Sequence, residues 1–515
     1  MKNGKSTVID KKINFRMGIL CMVYLFYMMF GFGTICVQGY VLYDEYKSIL
    51  LISGAMVFAV LSIILLLPKL DSIGNKKFKI GIIDALFAGT LIVWLIGTLA
   101  AVGRHEAFFG DDYRKTGFFF MGLTVLAGYI VSKYARHHFA LSIGFAVWTI
   151  ITNIVGIMQY YQHDPFNWQI YRQFTGLRSM FGNSNQYSAM CAVFLSVLLV
   201  IFILEKNIPT LIITGIAIVV DMVAGLSSSS AGFYFVLFAI LVAIGFALRN
   251  PIWRRRLWMV AVMMYAGLLI QRRFYNTTDD WNTHMNEDIT KWIFANNKLI
   301  VGLGVALAIL GIAVFLAKPL VEKFGVWMSR IWFILFGVLI LTIVGAFIYA
   351  NKNGASIPEE AFLHKIVITE HWGSGRAEIW KEAIRLFGEG SLKDKLFGIG
   401  FNNISRFNLL SESLGGQTLA DAHNVYLDML LTCGILGAGL YFATVIAMIV
   451  RAAKYAKKCP GAMLACVMAA TYLGIAFIDF NMNVFFPTCF IVIAYGVSFA
   501  KDMPIKEENT ETVSE

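Results

Sequence analysis

An arginine at the start of a short predicted helix is the first residue whose type and position could do chemistry. The sequence Gly-Ser-Gly-Arg at 373–376 is followed by large apolar residues at helical spacing: Trp380, Ile384 and Phe387. This spacing predicts a short amphipathic helix with Arg376 in its first turn. An anion placed there would meet both free backbone N–H groups and a guanidinium. The alternative is an ion pair of Arg376 with Glu370 or Glu378.

A histidine at the far end of the same polar segment is the second such residue. The pattern predicts that Asp421 caps a helix and that His423 lies in its first turn, at the membrane surface. A histidine there titrates near neutrality and can serve as a general base. The alternative is an interfacial histidine capped by its neighbours. Asn424 follows directly, and Asp428 is a carboxylate entering the membrane, where ionisable residues are usually functional unless the surface hydrates them.

Further glycines and basic residues stand in the polar segments. Gly398 and Gly400 predict a tight turn with close backbone approach, but the other elements of a dinucleotide fingerprint are missing. Arg178 precedes an apolar span, and Arg114 lies among acidic and basic residues between two spans. Arginines that face outward run against the usual charge distribution of membrane proteins. An anionic ligand would compensate them, and a solvated, salt-bridged loop is the alternative for each.

The elements that position these residues follow from composition. Of 515 residues, 58% are hydrophobic and 15% are charged, against about 25% charged in soluble domains, so a soluble enzyme is excluded. We predict an all-α, polytopic membrane protein with about fourteen transmembrane helices. The predicted spans are 17–36, 49–67, 80–102, 117–132, 139–160, 187–204, 208–225, 231–248, 257–270, 298–317, 331–350, 424–450, 461–479 and 485–500.

Charge distribution predicts the orientation. Lysine and arginine are densest in the short segments between spans, which places both termini in the cytoplasm and accounts for the net charge of +11 without nucleic acid. The long polar segments then lie outside. We predict a transmembrane bundle over 1–350, a large extracytoplasmic loop over 351–423, further spans over 424–500 and a cytoplasmic tail over 501–515. A loop of this length usually has a function, which favours an enzyme with an extracytoplasmic site in the plasma membrane.

The seven cysteines show neither the spacing of a zinc site nor that of a disulfide framework, so neither is predicted. No metal and no cofactor is expected. They stand in or beside apolar runs, where cysteine behaves as a small hydrophobic residue.

Several short motifs, taken in order, resemble the O-antigen ligase and polymerase superfamily of membrane glycosyltransferases. The similar stretches are Ser374-Gly375-Arg376 with Trp380, Gly398-x-Gly400-Phe401, His423-Asn424-x-Tyr426-Leu427 and Gly434-Ile435-x-Gly437. Upstream, Phe181-Gly182-Asn183-x-Asn185 and Gly110 to Arg114-x-x-Gly117 also look similar. The resemblance spans about 100–450 and implies a GT-C-like helical membrane fold with one large outer loop.

The resemblance implies a reaction as well. Members transfer a glycan from an undecaprenyl-pyrophosphate carrier to a hydroxyl, without a nucleotide sugar or a metal. It gives Arg376 the pyrophosphate and His423 the acceptor hydroxyl, as base or orienting group, with a glycan, lipid or protein as acceptor. Members often carry a further arginine where this chain reads Ser227 to Gly232. Either Arg178, Arg272 or Arg273 would then supply the second cation, or the lipid-linked donor would be held differently.

Three alternatives remain open on the sequence. The enzyme would be a polymerase or a ligase of surface polysaccharide, alone or with other polysaccharide-assembly proteins. A transporter or flippase of lipid-linked oligosaccharides would need cations along a central cavity and a repeat between halves, and the sequence shows neither clearly. Asp221 is the best candidate for a buried ionisable residue. The third alternative is a catalytically inactive scaffold.

Overall fold

The computed structural model describes a helical bundle. The described residues are 2–34, 43–73, 81–111, 115–161, 163–166, 177–228, 230–277, 288–358, 362–369, 372–373, 375–407, 410–411, 417–418, 421–479 and 484–500. The helices are α1 (Lys2–Phe26, continued by a π-helix, Tyr27–Phe32), α2 (Tyr43–Ile73), α3 (Ile82–Leu99), α4 (Arg104–Phe109), α5 (Phe118–Tyr134), α6 (Phe139–Tyr160), α7 (Ser184–Leu204), α8 (Ile208–Ser227), α9 (Val236–Ala247), α10 (Pro251–Tyr275), α11 (Asp288–Ala295), α12 (Asn297–Leu316), α13 (Lys318–Lys352), α14 (Arg376–Glu389), α15 (Leu392–Phe397), α16 (Val425–Tyr455), α17 (Met463–Ile475) and α18 (Phe485–Ser498).

Short elements complete the described chain. They are five 3₁₀ turns (Ala231–Phe235, Gly354–Ser356, Phe362–Ile366, Ile404–Phe407 and Pro460–Ala462) and one antiparallel pair, β1 (Leu410–Ser411) with β2 (Gln417–Thr418). In that pair Leu410 lies opposite Thr418. The rest of the regular structure in the described chain is helical, which confirms the predicted all-α class of a polytopic membrane protein.

Each predicted span coincides with a helix. Nine helices among the described residues are long and apolar enough to cross a membrane, and four shorter apolar helices match predicted spans 4, 8, 13 and 14. The remaining match is α10, which has 25 residues and arginines near both ends. Fourteen crossings and the orientation remain predictions. The bounds differ most at α13, which has 35 residues where the predicted span had about twenty.

Burial varies strongly from helix to helix. The most apolar part of α7 is 89% buried, whereas that of α13 is not buried against other helices at all. Helix α7 is therefore the central element of the bundle. The apolar side chains of α13, such as Ile334 and Leu341, face the surroundings that the bilayer supplies to a membrane protein.

The start of α16 is fixed to the end of α17 by three hydrogen bonds. Backbone N–H of Val425 donates to the carbonyl of Ala476 (2.8 Å), and the Tyr426 hydroxyl donates to the carbonyl of Leu473 (2.8 Å). The Asn424 amide donates to the carbonyl of Phe477 (2.9 Å). Carbonyls at a helix end lack partners within their own helix, so these bonds satisfy α17 while they position the residues just before α16.

Helix α16 is interrupted at Gly434, where the backbone takes φ 65° and ψ −178°. Two carbonyls before the break, of Leu431 and Thr432, accept hydrogen bonds from the backbone N–H groups of Ile399 (2.9 Å) and Gly400 (3.0 Å). In an uninterrupted helix those carbonyls would bond to residues four positions later. The predicted turn at Gly398 and Gly400 is thus confirmed, and it attaches the polar segment between α13 and α16 to α16 through main-chain atoms.

Candidate functional site

Arg376 is the first residue of α14, as predicted. Gly375 precedes it with φ 87°, a left-handed conformation that glycine adopts without strain, and the helix start has no side-chain cap. The Arg376 guanidinium donates from Nη1 to the carbonyl of Gly373 (2.8 Å). Its Nε is buried and has no hydrogen-bond partner among the described residues. The half-used guanidinium and the uncapped helix start together offer donors to an anion.

Three other charged groups of α14 are paired with each other. Arg385 hydrogen-bonds to the carboxylates of Glu382 and Glu389, and its hydrogen bond lowers the pKa of Glu382. On α15, burial raises the pKa of Asp394, but hydrogen bonds from Ser391 and Lys393 outweigh it, so the net shift is downward. Among the described arginines of α14, Arg376 is therefore the one left to serve a ligand.

His423 lies just before α16 and not in its first turn, so that prediction is wrong. The N-cap is Asn424, whose Oδ1 accepts from the backbone N–H of Leu427 (3.1 Å), and the predicted cap Asp421 accepts from the backbone N–H of His423 (3.0 Å). His423 has φ 48°, in the left-handed region, which is uncommon outside glycine and recurs at functional sites. Its Nδ1 lies 3.5 Å from Asp421 Oδ1.

Asp428 and Asn424 hold this turn in place. Asp428 Oδ1 accepts a 2.6 Å hydrogen bond from the backbone N–H of Ala422, and the Asp428 side chain is 7% exposed. Asn424 is 4% exposed, with both ends of its amide bonded. The two residues therefore surround His423 as positioning residues, and a direct contact of either with a ligand stays a prediction.

A small apolar cluster packs α14 against the His423 turn. Ile379 and Ala383 of α14, Ala422 beside His423, Leu431 of α16 and Ile404 are all at most 4% exposed and form one buried cluster. The side chain of Ile384 is 60% exposed, so the prediction that it belongs to the buried face of α14 is wrong. The cluster brings the helix that begins with Arg376 to the turn that contains His423.

Four aromatic rings line the other side of α14. Trp380 packs edge-on against Trp372 (5.5 Å between centroids) and Phe477 (5.2 Å), and Phe347 of α13 contacts Phe477 (6.0 Å). Asn351 adds two hydrogen bonds to the loop backbone, at Ile366 and Ile368. The spacing of residues in the sequence does not predict this cluster, because its rings come from distant segments of the chain.

The polar segment between α3 and α5 joins the same assembly. Thr116 donates to the Asn402 side chain (3.2 Å), Asn403 donates to the carbonyl of Gly103 (3.3 Å), and Lys393 donates to the carbonyl of Ala100 (2.9 Å). The two polar segments thus form one structure. Arg114 and Glu370, named as candidates on the sequence, lie outside the described residues.

The remaining predicted cations lie on other elements. Arg178 is half-buried in the turn before α7, and its carbonyl accepts from the backbone N–H of Phe181 (2.9 Å). Arg272 closes the end of α11, where its Nε donates to the carbonyl of Phe294 (3.0 Å) and its Nη2 contacts Asn297. Arg273 is exposed. Helix α10, which carries both arginines, packs mainly on α7, α8 and α12, and not on the Arg376–His423 assembly.

One substitution tests whether Arg272 only closes the end of α11 or also supplies the predicted second cation. Arg272→Gln is expected to lower the thermal midpoint of unfolding, because hydrogen bonds from a charged donor contribute about 1.5–3 kcal/mol. The activity of the folded protein should stay within about three-fold, because Arg272 is committed to α11. The exposed neighbour variant Arg273→Gln is the control and should change neither quantity. Loss of activity in Arg272→Gln at an unchanged thermal midpoint would make Arg272 the second cation.

These features define a polytopic helical membrane protein with a polar assembly at one end of its bundle. No group of three or more histidine, cysteine or acidic residues that could hold a metal ion occurs in the described part of the chain.

Residues 289–442 match the family described as O-antigen ligase. The match runs from α11 into α16 and includes Arg376, the Gly398–Gly400 turn and His423. The match supports the assignment of this region to the O-antigen ligase family and confirms the resemblance drawn from the motifs within it. The motifs at 110–117 and 181–185 lie outside the matched residues. A comparison with curated proteins gives no match. The match supports a ligase or polymerase type of function in polysaccharide biosynthesis.

Proposed function

We propose that this protein transfers a glycan from a polyprenyl-pyrophosphate carrier, of the undecaprenyl type, to an acceptor hydroxyl outside the plasma membrane. The observation that supports it best is the packing of the Arg376 helix start and the His423 turn around one buried cluster. The pair supplies the two functions that the reaction needs, an anion site and a proton acceptor. The acceptor is a glycan in a polymerase and a different hydroxyl compound in a ligase.

The donor site is the start of α14. A pyrophosphate leaving group carries negative charge that grows as its bond to the sugar breaks. The uncapped helix start and the Arg376 guanidinium both favour that charge, and more so in the transition state than in the bound donor. The apolar carrier chain would lie beside the helices that face the bilayer, next to this end of the bundle.

The acceptor site is the His423 turn. The acceptor hydroxyl oxygen attacks the anomeric carbon, the bond from that carbon to the phosphate oxygen breaks, and the hydroxyl proton passes to the imidazole of His423. The products are the glycosylated acceptor and the carrier pyrophosphate, which takes the electron pair of the broken bond. Asp421 beside Nδ1 favours the protonated imidazole that forms.

Arg376 provides the test of the donor site. The purified protein in nanodiscs is given an undecaprenyl-pyrophosphate-linked oligosaccharide and an acceptor from the same cells, and product length is followed on gels. Arg376→Ala should lower the transfer rate by about 10²–10³-fold, as removal of a charge-stabilising donor does. Arg385→Ala on the same helix is the matched control, since Arg385 only pairs with neighbouring glutamates.

The result also separates the rival function. If wild type moves the donor across the bilayer of proteoliposomes without transferring its glycan, the protein is a transporter. If Arg376→Ala and Arg385→Ala retain wild-type transfer, the donor site lies elsewhere.

A further inference from the structure

A cavity of about 500 Å³ lies at the opposite end of the bundle. Helix α17 runs from one end to the other. Leu464, near its start, lines the cavity. The carbonyls of Leu473, Ala476 and Phe477, at and just after its end, accept the hydrogen bonds that fix the start of α16 beside His423. From Leu464 to Phe477 the helical rise is about 20 Å. The cavity is therefore separate from the site proposed for glycan transfer, and its volume falls within the roughly 300–1,000 Å³ of small-molecule sites.

The interior of the cavity is apolar. Its walls come from α1, α6, α7, α10, α17 and α18 and include Met29, Phe145, Val200, Leu464 and Val492. A cavity with such walls favours an apolar chain over water, because the walls offer water no hydrogen-bond partners. The interior lies at the level of membrane helices, where lipid chains are the abundant apolar ligands.

The rim of the cavity is polar. His137 lies with Nδ1 3.2 Å from the Tyr495 hydroxyl and Nε2 3.5 Å from the Glu205 carboxylate. Lys206 is exposed at the same rim and makes no ion pair with a described residue. Beside the cavity, Arg256 donates to the carbonyls of Phe202 and Ile203.

The charges at this rim favour an anion. Lys206 and Glu205 are the oppositely charged residues that line the cavity. The Arg256 guanidinium, which donates to the carbonyl of Ile203, lies beside the cavity and makes the balance at this end positive. With the predicted orientation this end faces the cytoplasm, whose membrane leaflet carries the anionic phospholipids.

We propose that this cavity binds an anionic phospholipid, with one acyl chain in the apolar interior and the phosphate at Lys206. The polar rim next to an apolar interior matches the two parts of such a molecule, and the net positive rim selects the anionic headgroup. The bound lipid fills the space between six helices, so it stabilises the bundle. The proposal does not depend on the glycan-transfer reaction.

Lipid retention tests the proposal. The delipidated protein is mixed with phosphatidylglycerol or phosphatidylcholine of identical chains, and the bound lipid is counted by native mass spectrometry. Wild type should retain phosphatidylglycerol in preference, and Lys206→Ala should weaken that retention about five-fold, as one lysine near a lipid phosphate contributes. Ser142→Phe, which fills the cavity from its wall, should abolish retention of either lipid while the thermal midpoint confirms folding.

Lys458→Ala is the matched control, since Lys458 is exposed at the same end but does not line the cavity. It should retain phosphatidylglycerol as wild type does. Equal retention of both lipids by wild type, or an equal loss in Lys458→Ala and Lys206→Ala, would overturn the proposal. Binding of undecaprenyl phosphate in place of phosphatidylglycerol would also overturn it, and would identify a second carrier site.

Discussion

Replacing His423 is expected to lower the rate of glycan transfer by about 10²–10⁴-fold, the usual contribution of a general base. Histidine is the residue type of this turn that is suited to general-base chemistry, and the carboxylates of Asp421 and Asp428 already accept hydrogen bonds from backbone N–H groups. The expected loss exceeds that for Arg376→Ala, because the helix start still favours the pyrophosphate when the guanidinium is gone.

The choice of variant matters at this position. His423 has φ 48°, where alanine is strained but asparagine is tolerated, so His423→Asn removes the base and keeps the backbone. His423→Asn should lose transfer while its thermal midpoint stays at that of wild type. His364→Ala is the matched control, because His364 belongs to the same loop and bonds only to the carbonyl of Ile357 (3.2 Å) among the described residues.

The transfer assay described for Arg376 measures both variants. If His423→Asn transfers at the wild-type rate, the base lies elsewhere and the left-handed turn has a purely structural role. If His364→Ala also loses transfer, the loop as a whole has been disturbed and the assignment to His423 fails.

Gly434→Ala is expected to produce the largest loss of stability of any glycine-to-alanine substitution in α16. The backbone at Gly434 takes φ 65° and ψ −178°, a region that is essentially restricted to glycine, at a cost of about 1–3 kcal/mol for other residues. A Cβ there would also collide with the backbone of Leu396, which cannot move as a flexible side chain can. The outer loop would then lose its attachment to α16.

Gly439 on the same helix supplies the control. A Cβ at Gly439 meets no atom within 4 Å, so Gly439→Ala should unfold at or slightly above the wild-type temperature. Thermal unfolding in detergent, followed by tryptophan fluorescence, measures both variants. A wild-type midpoint for Gly434→Ala would show that the joint between loop and helix adapts. Gly398→Ala, whose Cβ would collide with the carbonyl of Thr432, repeats the test from the other side.

The helical elements were predictable because their signals are local. A run of apolar residues as long as the bilayer is thick specifies a membrane helix whatever it packs against, and all fourteen predicted spans fall on helices. Arg376 was placed correctly at the start of α14 for the same reason, since glycines before the helix and apolar spacing within it are both local.

The details of the site depended on tertiary contacts and were not predictable in the same way. Both Asp421 and Asn424 are good N-caps, and the choice of Asn424 follows from its second bond to Phe477, which is distant in the sequence. The exposed Ile384 looks like a buried residue by spacing alone. The commitment of Arg272 to the end of α11 likewise appears only when the chain is folded.

The joint between the Gly398 turn and α16 has a consequence for how such a protein can diverge. Both of its hydrogen bonds use main-chain atoms, so the side chains of Ile399, Leu431 and Thr432 are not needed to form them. Only the glycines are constrained, by backbone angle and by the close approach of the two segments. Residues elsewhere in the loop can therefore be exchanged without rebuilding the frame that holds the loop on the bundle.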